Sequence, residues 1–510
     1  MFSIRKFLGG FKVLVFIWVA VGLIGSSSVL AVERPMDNKK DDILKIVGAV
    51  EPANMNPVKQ ANSFGTYWQP VVEPLIRTDL KFRPIKTGLV TDWKRISPGT
   101  WQFTLQKGVT FTNGEPWDSS AMAFTLNTYR DTVGAPMRAY LGKIKTSVVS
   151  PTVLDVVSSQ PDSSIPFVMT AIRALPPVHY AKLGHDGFGQ NPIGTGPYKF
   201  ESWTKGVDLR LVRNEKYWDK KAGIKRLSFR FASDPNTRAN LLRSGAVDFA
   251  ILLPLQRIES IQKSAKNNVV LREDTGQIAL FYLGQKTELK DLELRKAATL
   301  ALDIEAITSK VLLSKGGIAS CALLTPLLKN SEKPKCHEQD LKTAKAITAK
   351  YGNPTITFNY GPARGPSDEA VAQAVAGQLR KAGFTVKMAP DEYSKLTTNL
   401  VLGRVDGLVM FSIVPVFPHP SVYAQGFLTP TSITKNCLAP GMAELSAKAL
   451  EASAAESSKI YLQMEKIAIT EYYCMLPMYQ VINNWGMSKS LGGFDAPPAV
   501  VINWAAMYWK

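Results

Sequence analysis

Histidine and cysteine are the residues of this chain that could most readily supply a nucleophile, a general base or a metal ligand. The histidines are His179, His185, His337 and His419. The chain has no G-x-S-x-G segment, no P-loop and no G-x-G-x-x-G segment. His337-Glu338 does not continue as a zinc-protease motif, because Leu341 stands where the second histidine would be. These patterns predict a protein that is not an enzyme, with no catalytic residue, no metal and no cofactor.

The four cysteines suit disulfides better than a metal site. They are Cys321, Cys336, Cys437 and Cys474, and they allow three complete pairings. Cys321 and Cys336 flank a loop with two prolines and several polar residues, so a local disulfide between them is favoured. Cys437 with Cys474 is then the remaining pair. Metal ligation is the alternative, but there is no C-x-x-C and the spacings match no usual zinc pattern.

The first thirty residues predict an export signal. Three basic residues stand within the first twelve, Val13 to Gly25 is apolar, and small or modest side chains precede the position after Ala31. We therefore expect cleavage after Ala31 and a periplasmic protein. A retained membrane anchor is the alternative, but the apolar run is shorter than the roughly 20 residues of a comfortable span.

Size and charge limit the possible partners. About 480 residues would remain after cleavage, which is too many for one hydrophobic core and predicts two or three packed units. The formal net charge of the whole chain is +19, yet Lys and Arg are scattered and form no long basic run. We therefore expect no nucleic-acid partner. A negatively charged ligand is slightly favoured by this balance.

Two stretches between Asn191 and Trp218 carry the strongest pattern. The first contains G-T-G-P-Y, from Gly194 to Tyr198, and the second is R-N-x-x-Y-W, from Arg213 to Trp218. The two glycines permit close backbone approach, the proline fixes φ, and the alternation before Arg213 predicts a strand.

Helix and strand patterns alternate through the rest of the chain. Trp101, Phe103 and Leu105 predict a strand, and a turn then leads into a helix that Asp118 or Ser119 can cap. Another helix is expected to start near Asp234 and a third near Ser367, each followed by a glycine and a strand. This alternation predicts an α/β fold with a mostly parallel sheet in each lobe.

Together these stretches resemble the bacterial extracellular solute-binding proteins of family 5, which serve peptide, nickel and opine ABC transporters. The resemblance runs from about Ile43 to Trp509. It implies a two-lobed α/β periplasmic binding protein fold of type II, cluster C, with an accessory subdomain in lobe I and a hinge of two strands. The expected boundaries are a signal peptide at 1–31, lobe I at 32–272 with the accessory subdomain at about 70–190, lobe II at 273–481, and a return to lobe I at 482–510.

The resemblance also implies a function. A protein of this kind captures a small organic solute, which is peptide-like, opine-like or another polar or anionic compound, between its lobes. It delivers this solute to a permease and ATPase complex in the inner membrane, and we expect a monomer. A nickel-chelate or haem-type binding protein of the same family is one alternative. A hydrolytic enzyme on the same scaffold is another, and a sensing or chaperone subunit is a third.

Three places are implied as ligand contacts. Tyr67 and Trp68 lie in an early loop that borders the cleft in relatives, although Trp68 could instead pack in the core. Tyr360 and Arg364 lie near the arginine that binds the ligand carboxylate in dipeptide binders, although Arg364 could be a solvated loop residue. Phe411, Val414, Phe417 and His419 belong to a segment similar to W-x-x-D-x-x-D-P of peptide binders.

This last segment departs from the pattern of peptide binders. The acid that would pair with a peptide amino terminus is missing, and Val414 stands near its position. A buried ammonium without a carboxylate partner would cost several kcal/mol, so free dipeptides are disfavoured as ligands. His419 is about two residues from the place where nickel-chelate binders use a histidine, and a hydrogen-bonded loop histidine is the alternative.

Overall fold

A computed structural model describes residues 42–510 except 60–64, 284–286, 325–335, 363–365, 431, 433, 435–438 and 498–500. The expected signal peptide and its cleavage position after Ala31 lie outside these residues. None of the helices formed by the described residues has both the length and the apolar character of a membrane span.

The described chain alternates short helices with strands. The strands are β1 (Ile43–Gly48), β2 (Arg77–Thr78), β3 (Pro84–Ile85), β4 (Val90–Ser97), β5 (Thr100–Leu105), β6 (Ile144–Ser150), β7 (Val153–Ser158), β8 (Tyr198–Thr204), β9 (Asp208–Arg213), β10 (Arg226–Phe231), β11 (Phe249–Ile251), β12 (Asn267–Leu283), β13 (Gly317–Ala319), β14 (Thr355–Tyr360), β15 (Thr385–Pro390), β16 (Gly407–Ile413), β17 (Met475–Ser488), β18 (Leu491–Gly492) and β19 (Tyr508–Trp509). The helices are α1 (Gly65–Trp68), α2 (Ser119–Asp131), α3 (Arg138–Leu141), α4 (Ile165–Val168), α5 (Pro177–Gln190), α6 (Pro235–Ser244), α7 (Ile258–Gln262), α8 (Leu292–Leu300), α9 (Ile304–Ala306), α10 (Leu341–Lys350), α11 (Pro366–Lys381), α12 (Tyr393–Val401), α13 (Ser421–Tyr423), α14 (Met442–Glu451) and α15 (Ala454–Lys466). Short 3-10 turns at Leu255–Arg257, Glu288–Lys290 and Trp504–Ala506, and π turns at Ile307–Val311, Ala424–Leu428 and Ile467–Glu471, complete the set.

One large sheet runs through the molecule, in the order β15-β14-β16-β12-β17-β11-β1-β10-β9-β8, with β13 paired to β17. We call the side from β11 to β8 lobe I and the side from β16 to β15 lobe II. The long strands β12 and β17 pair antiparallel along both sides, with an irregularity between Glu273 and Gln277. These two strands therefore link the lobes, as a hinge of two strands requires.

The sheet is mixed rather than mostly parallel. β1 is parallel to β10 and β11, and β14 is parallel to β15 and β16. The pairs formed by β8, β9 and β10 are antiparallel, as are those that β12 makes with β16 and β17. The sequence predicted a mostly parallel sheet in each lobe. This is confirmed for β14, β15 and β16 of lobe II and is wrong for lobe I, where the short turn between Thr204 and Asp208 makes β8 and β9 antiparallel and β9 also runs against β10.

A smaller antiparallel sheet, in the order β4-β5-β7-β6, lies beside lobe I. We call this sheet with α2, α3 and α4 the accessory subdomain. Asp118 caps α2, since its carboxylate accepts a hydrogen bond from the Ala121 backbone N–H at 2.9 Å. The predicted cap is thereby confirmed, and Asp234 caps α6 in the same way.

The large sheet has an apolar core on each face. Along β12, Ala279 and Phe281 belong to one cluster of buried side chains, whereas Ile278 and Leu280 belong to the other. Alternate residues of a strand point to opposite faces, so the two clusters lie on opposite sides of the sheet. The C-terminal segment packs on lobe I, where the Trp504 ring meets Phe249 with 5.2 Å between centroids.

Candidate functional site

The segment that carries Trp68 and Gln69 is held by the G-T-G-P-Y motif. The Gly196 N–H donates to the Val71 carbonyl at 2.9 Å, and the Tyr198 N–H donates to the Pro70 carbonyl at 3.0 Å. A Cβ on Gly196 would lie 2.2 Å from the Pro70 oxygen, so only glycine allows this approach. The motif is therefore a support for the segment that follows α1, and the predicted close approach is confirmed.

The same segment is held from its other side by residues 172–174. Leu75 N–H donates to the Ile172 carbonyl, and Ala174 N–H donates to the Glu73 carbonyl, both at 3.0 Å. These bonds place Arg173 beside the segment that carries Trp68.

Glu73 explains the second motif. Its buried carboxylate accepts hydrogen bonds from the Tyr217 hydroxyl at 2.7 Å, the Trp218 indole N–H at 2.9 Å and the Arg77 guanidinium at 2.7 Å. Tyr217 and Trp218 are the aromatic pair of R-N-x-x-Y-W. Both sequence signatures thus act on residues 70–77, and neither forms the site itself.

Arg173 is a buried cation whose hydrogen-bonding capacity is only partly used. One terminal N–H group donates to the Thr170 carbonyl at 2.7 Å and the other to the Gln69 side-chain oxygen at 3.1 Å. Its Nε, and the indole nitrogen of Trp68, have no hydrogen-bond partner among the described residues. The guanidinium lies 5.2 Å from the centre of the Trp68 ring, a cation–π distance.

No ion pair among the described residues includes Arg173. Burial lowers the pKa of Arg173 to about 10, so the side chain still carries its charge at neutral pH. A buried charge without a counterion is costly. The described chain therefore supplies no counterion for the charge of Arg173.

Arg238 is a useful contrast in the same lobe. It is equally buried, and burial also lowers its pKa to about 10. All three of its nitrogens donate to backbone carbonyls, those of Ala232, Ser233 and Leu252. Each guanidinium nitrogen of Arg238 thus has a backbone partner, whereas Nε of Arg173 has none among the described residues.

Tyr67 lies next to Trp68 in the chain but faces the interior of lobe I. Its ring meets Phe229 and Phe231 edge-on, with 5.5 and 5.3 Å between centroids. Burial raises the pKa of Tyr67. A Cβ on Gly48 would lie 2.3 Å from its hydroxyl, so the ring is tightly enclosed.

The lobe II segment after β16 is apolar and aromatic. Phe411 stacks on Tyr393, with 5.5 Å between ring centres and 16° between planes. Phe417 is fully buried and meets Tyr140 edge-on at 4.9 Å. Val414 is half-buried. Trp68, Phe411 and Phe417 belong to the same apolar cluster.

His419 is neutral in this environment. Its Nδ1 accepts a hydrogen bond from the Ser421 backbone N–H at 3.2 Å and lies 2.9 Å from the Ser421 hydroxyl. The ring packs against Phe167 at 4.8 Å and Tyr461 at 5.9 Å. Burial lowers the pKa of His419 to about 3. The imidazole is buried and hydrogen-bonded.

Tyr360 lies away from these residues, in the cluster on the opposite face of the sheet. Its hydroxyl donates to a Glu369 carboxylate oxygen at 3.0 Å. Burial, and then Glu369, raise the pKa of Tyr360. Arg364 lies outside the described residues.

A disulfide joins Cys321 to Cys336, with 5.0 Å between their Cα atoms. This is the pair that the loop between them favours. Cys474 is also in a disulfide, and Cys437 lies outside the described residues. Within the described part of the chain, no group of three or more His, Cys, Asp or Glu side chains is placed to hold a metal ion.

The structure thus places Trp68 beside Arg173. Arg173 was not among the site residues predicted from the sequence. The available signal was a lone arginine in the apolar run Ala171-Ile172-Arg173-Ala174-Leu175, because an arginine there must be either paired or functional. Glu73 was also missed, since the sequence does not reveal which acid meets Tyr217 and Trp218.

Comparisons with known proteins agree with this architecture. The model of a family described as bacterial extracellular solute-binding proteins, family 5 Middle, matches residues 84–435. The probable D,D-dipeptide-binding periplasmic protein DdpA of Escherichia coli is 25% identical over 366 residues, covering 68% of this chain and 70% of that protein. The oligopeptide-binding protein AppA of Bacillus subtilis is 26% identical over 496 residues, with 89% of both chains covered.

A solved structure is also similar. It is a dipeptide binding protein from Pseudoalteromonas sp. SM9913 in complex with Met-Leu, with a TM-score of 0.81 at 20% identity, covering 92% of this chain and 100% of that one. The predicted two-lobed α/β fold is confirmed.

Proposed function

The chain belongs to the bacterial extracellular solute-binding proteins of family 5, and we propose that it captures a small organic solute with an anionic group between its two lobes. Members of this family are binding proteins rather than enzymes. We propose the same for this chain. It acts as the substrate-binding component of an ABC importer and catalyses no reaction.

The environment of Arg173 is the observation that supports an anionic ligand. Arg173 is 3% exposed, its guanidinium stands over Trp68, and its Nε has no hydrogen-bond partner among the described residues. A carboxylate arriving there would receive charge-assisted hydrogen bonds and neutralise a buried cation. Arg364 remains a second proposed anchor for the same group.

Lobe II supplies apolar area in this proposal. Phe411 is buried and Val414 is half-buried, and by the resemblance Val414 stands near the position at which a peptide binder carries an acid for the ligand ammonium. An amino-blocked or purely acidic solute suits this combination better than a free dipeptide does, because no carboxylate of the segment compensates an ammonium.

The same proposal implies where the protein is located and which membrane proteins it meets. Curated relatives are periplasmic binding proteins, and we place this chain in the periplasm after cleavage behind Ala31. We further propose that the closed monomer meets a permease and ATPase complex. The lobe boundaries proposed are 32–272 with 482–510 for lobe I and 273–481 for lobe II, with the accessory subdomain at about 70–190.

The test begins with a matched pair of probes, N-acetyl-alanyl-alanine and its carboxamide. Only the free acid should raise the melting temperature. Arg173→Met should then weaken binding of the acid about 10- to 100-fold, since a charge-assisted hydrogen bond contributes about 1.5–3 kcal/mol. Because this variant removes an uncompensated buried charge, the melting temperature of the unliganded protein should stay unchanged or rise.

Arg238→Met is the matched control. It removes an equally buried cation whose three nitrogens all have partners, and it removes the donors that bind the carbonyls of Ala232, Ser233 and Leu252. We expect it to lower the melting temperature while the dissociation constant of the folded protein is retained. Calorimetry that found the same dissociation constant for Arg173→Met and the unaltered protein would overturn the proposal.

A further inference from the structure

In the described part of the chain, the contacts of lobe II with the accessory subdomain include two ring pairs and a backbone hydrogen bond. The Phe417 ring meets Tyr140 of α3 at 4.9 Å, and the His419 ring meets Phe167 of α4 at 4.8 Å. The Ser163 backbone N–H donates to the Leu450 carbonyl of α14 at 2.9 Å. We call Tyr140, Ser163, Phe167, Phe417, His419 and Leu450 the clasp.

The clasp joins parts of the chain that the large sheet does not join. Within the described chain, β12 and β17 are the strands shared by both lobes, whereas the accessory subdomain has its own sheet. A rotation of lobe II about these two strands would separate the rings of the clasp while the strand pairing is kept. The clasp contacts can therefore persist only while the lobes keep the arrangement seen in this structure.

The aromatic rings of the clasp are uncharged and partly or fully buried, which suits a contact that can form and separate. Phe417 is fully buried, His419 is neutral, and Tyr140 and Phe167 are half-buried. Edge-on and tilted aromatic pairs at these distances are attractive. No charge has to be desolvated at the ring contacts when they form.

We propose that Tyr140 and Phe167 are positioning residues that hold the lobe II segment Val414–Pro420 in place and stabilise the closed state without touching the solute. This proposal rests on the proposed solute-binding function. It assigns Phe417 and His419 to closure, whereas the resemblance implied that they contact the ligand. Affinity then depends partly on side chains of the accessory subdomain, through the population of the closed state.

The test measures the distance between the lobes directly. Spin labels are attached at the exposed positions Val133 and Leu402 through an unnatural side chain, because the described cysteines are in disulfides. Without any solute, Tyr140→Ala combined with Phe167→Ala should shift the distance distribution from the closed value to longer distances. Phe417→Ala should produce the same shift from the lobe II side. Tyr140→Phe with Phe167→Tyr should restore the closed value.

Phe124→Ala is the matched control, since Phe124 is an aromatic of the same subdomain whose ring meets Tyr180 rather than lobe II. It should leave the distances unchanged. For N-acetyl-alanyl-alanine, each lost ring pair should raise the dissociation rate about two- to tenfold with little change in the association rate. Distances unchanged in the double variant, or equally changed by Phe124→Ala, would overturn the clasp. The distance measurement needs no ligand, so it can succeed or fail independently of the proposed anionic solute.

Discussion

The surroundings of Arg173 in lobe I and the segment from Phe411 to His419 in lobe II are built in opposite ways. The lobe I surroundings contain a buried cation, and the supporting segment is held by hydrogen bonds from Tyr217 and Trp218 to Glu73 and from Gly196 and Tyr198 to Val71 and Pro70. The lobe II segment contains apolar side chains and a neutral imidazole, and its rings contact other rings. Charge lies on one side and apolar area on the other.

This difference separates two tasks. A rigid support keeps the guanidinium oriented, which limits the entropy lost when an anion binds. Aromatic contacts without buried charge can separate and re-form at low cost, which suits a surface that must open and close. We therefore expect substitutions in the lobe I support to act mainly on stability, and substitutions in the lobe II segment to act mainly on closure.

The largest effect is expected at Glu73. Glu73→Ala removes the shared acceptor of Arg77, Tyr217 and Trp218. Breaking a buried, hydrogen-bonded charge pair costs about 3–5 kcal/mol, and urea unfolding should show a loss of this size. Asp219→Ala is the control, because Asp219 binds the same Arg77 but its side chain is 41% exposed. Asp219→Ala should lower the free energy of unfolding by at most about 1 kcal/mol. Equal losses for the two variants would contradict the claim that buried hydrogen bonds to Glu73 support the lobe I site.

Sequence patterns were sufficient for the supports and insufficient for the site. Gly196 and Trp218 stand in motifs whose spacing is local, so both could be read from the chain. Arg173 and Glu73 gain their roles from neighbours about 100 and 144 residues away, and no periodicity records such a pairing. The mixed sheet was missed for the same reason, since the direction of β12 relative to β16 is a long-range property.

The second effect concerns a covalent support in lobe II. Replacing Cys321 and Cys336 together by serine opens a loop of 15 residues. In the chain-entropy model, such a loop contributes about 3 kcal/mol. The midpoint of urea unfolding should fall accordingly, and faster hydrogen exchange should be confined to lobe II and spare residues 68–76. Faster exchange around Trp68 would show that the two regions are not independently supported.

The smallest expected effect is a change of the free energy of unfolding with pH. It tests whether His419 is neutral in the folded lobe II segment. The pKa of His419 is lowered from 6.5 to about 3 by burial. Between these values the unfolded chain binds a proton that the folded chain does not, so the free energy of unfolding falls as the pH falls. At pH 5 the loss is about 2 kcal/mol. His419→Gln cannot titrate, and other shifted groups, such as Asp162 and His185, are common to both proteins.

The stability advantage of the unaltered protein over His419→Gln should therefore shrink by about 2 kcal/mol from pH 7 to pH 5. Since His419 packs on Phe167 of the accessory subdomain, protonation should also weaken the clasp, and the interlobe distance should lengthen at low pH only in the protein that keeps His419. Urea unfolding at each pH measures the first effect and the spin-label pair measures the second. A stability difference that stays constant with pH would mean that His419 accepts a proton without penalty. The lobe II segment would then tolerate charge as the lobe I site does, and the contrast between the two regions would be lost.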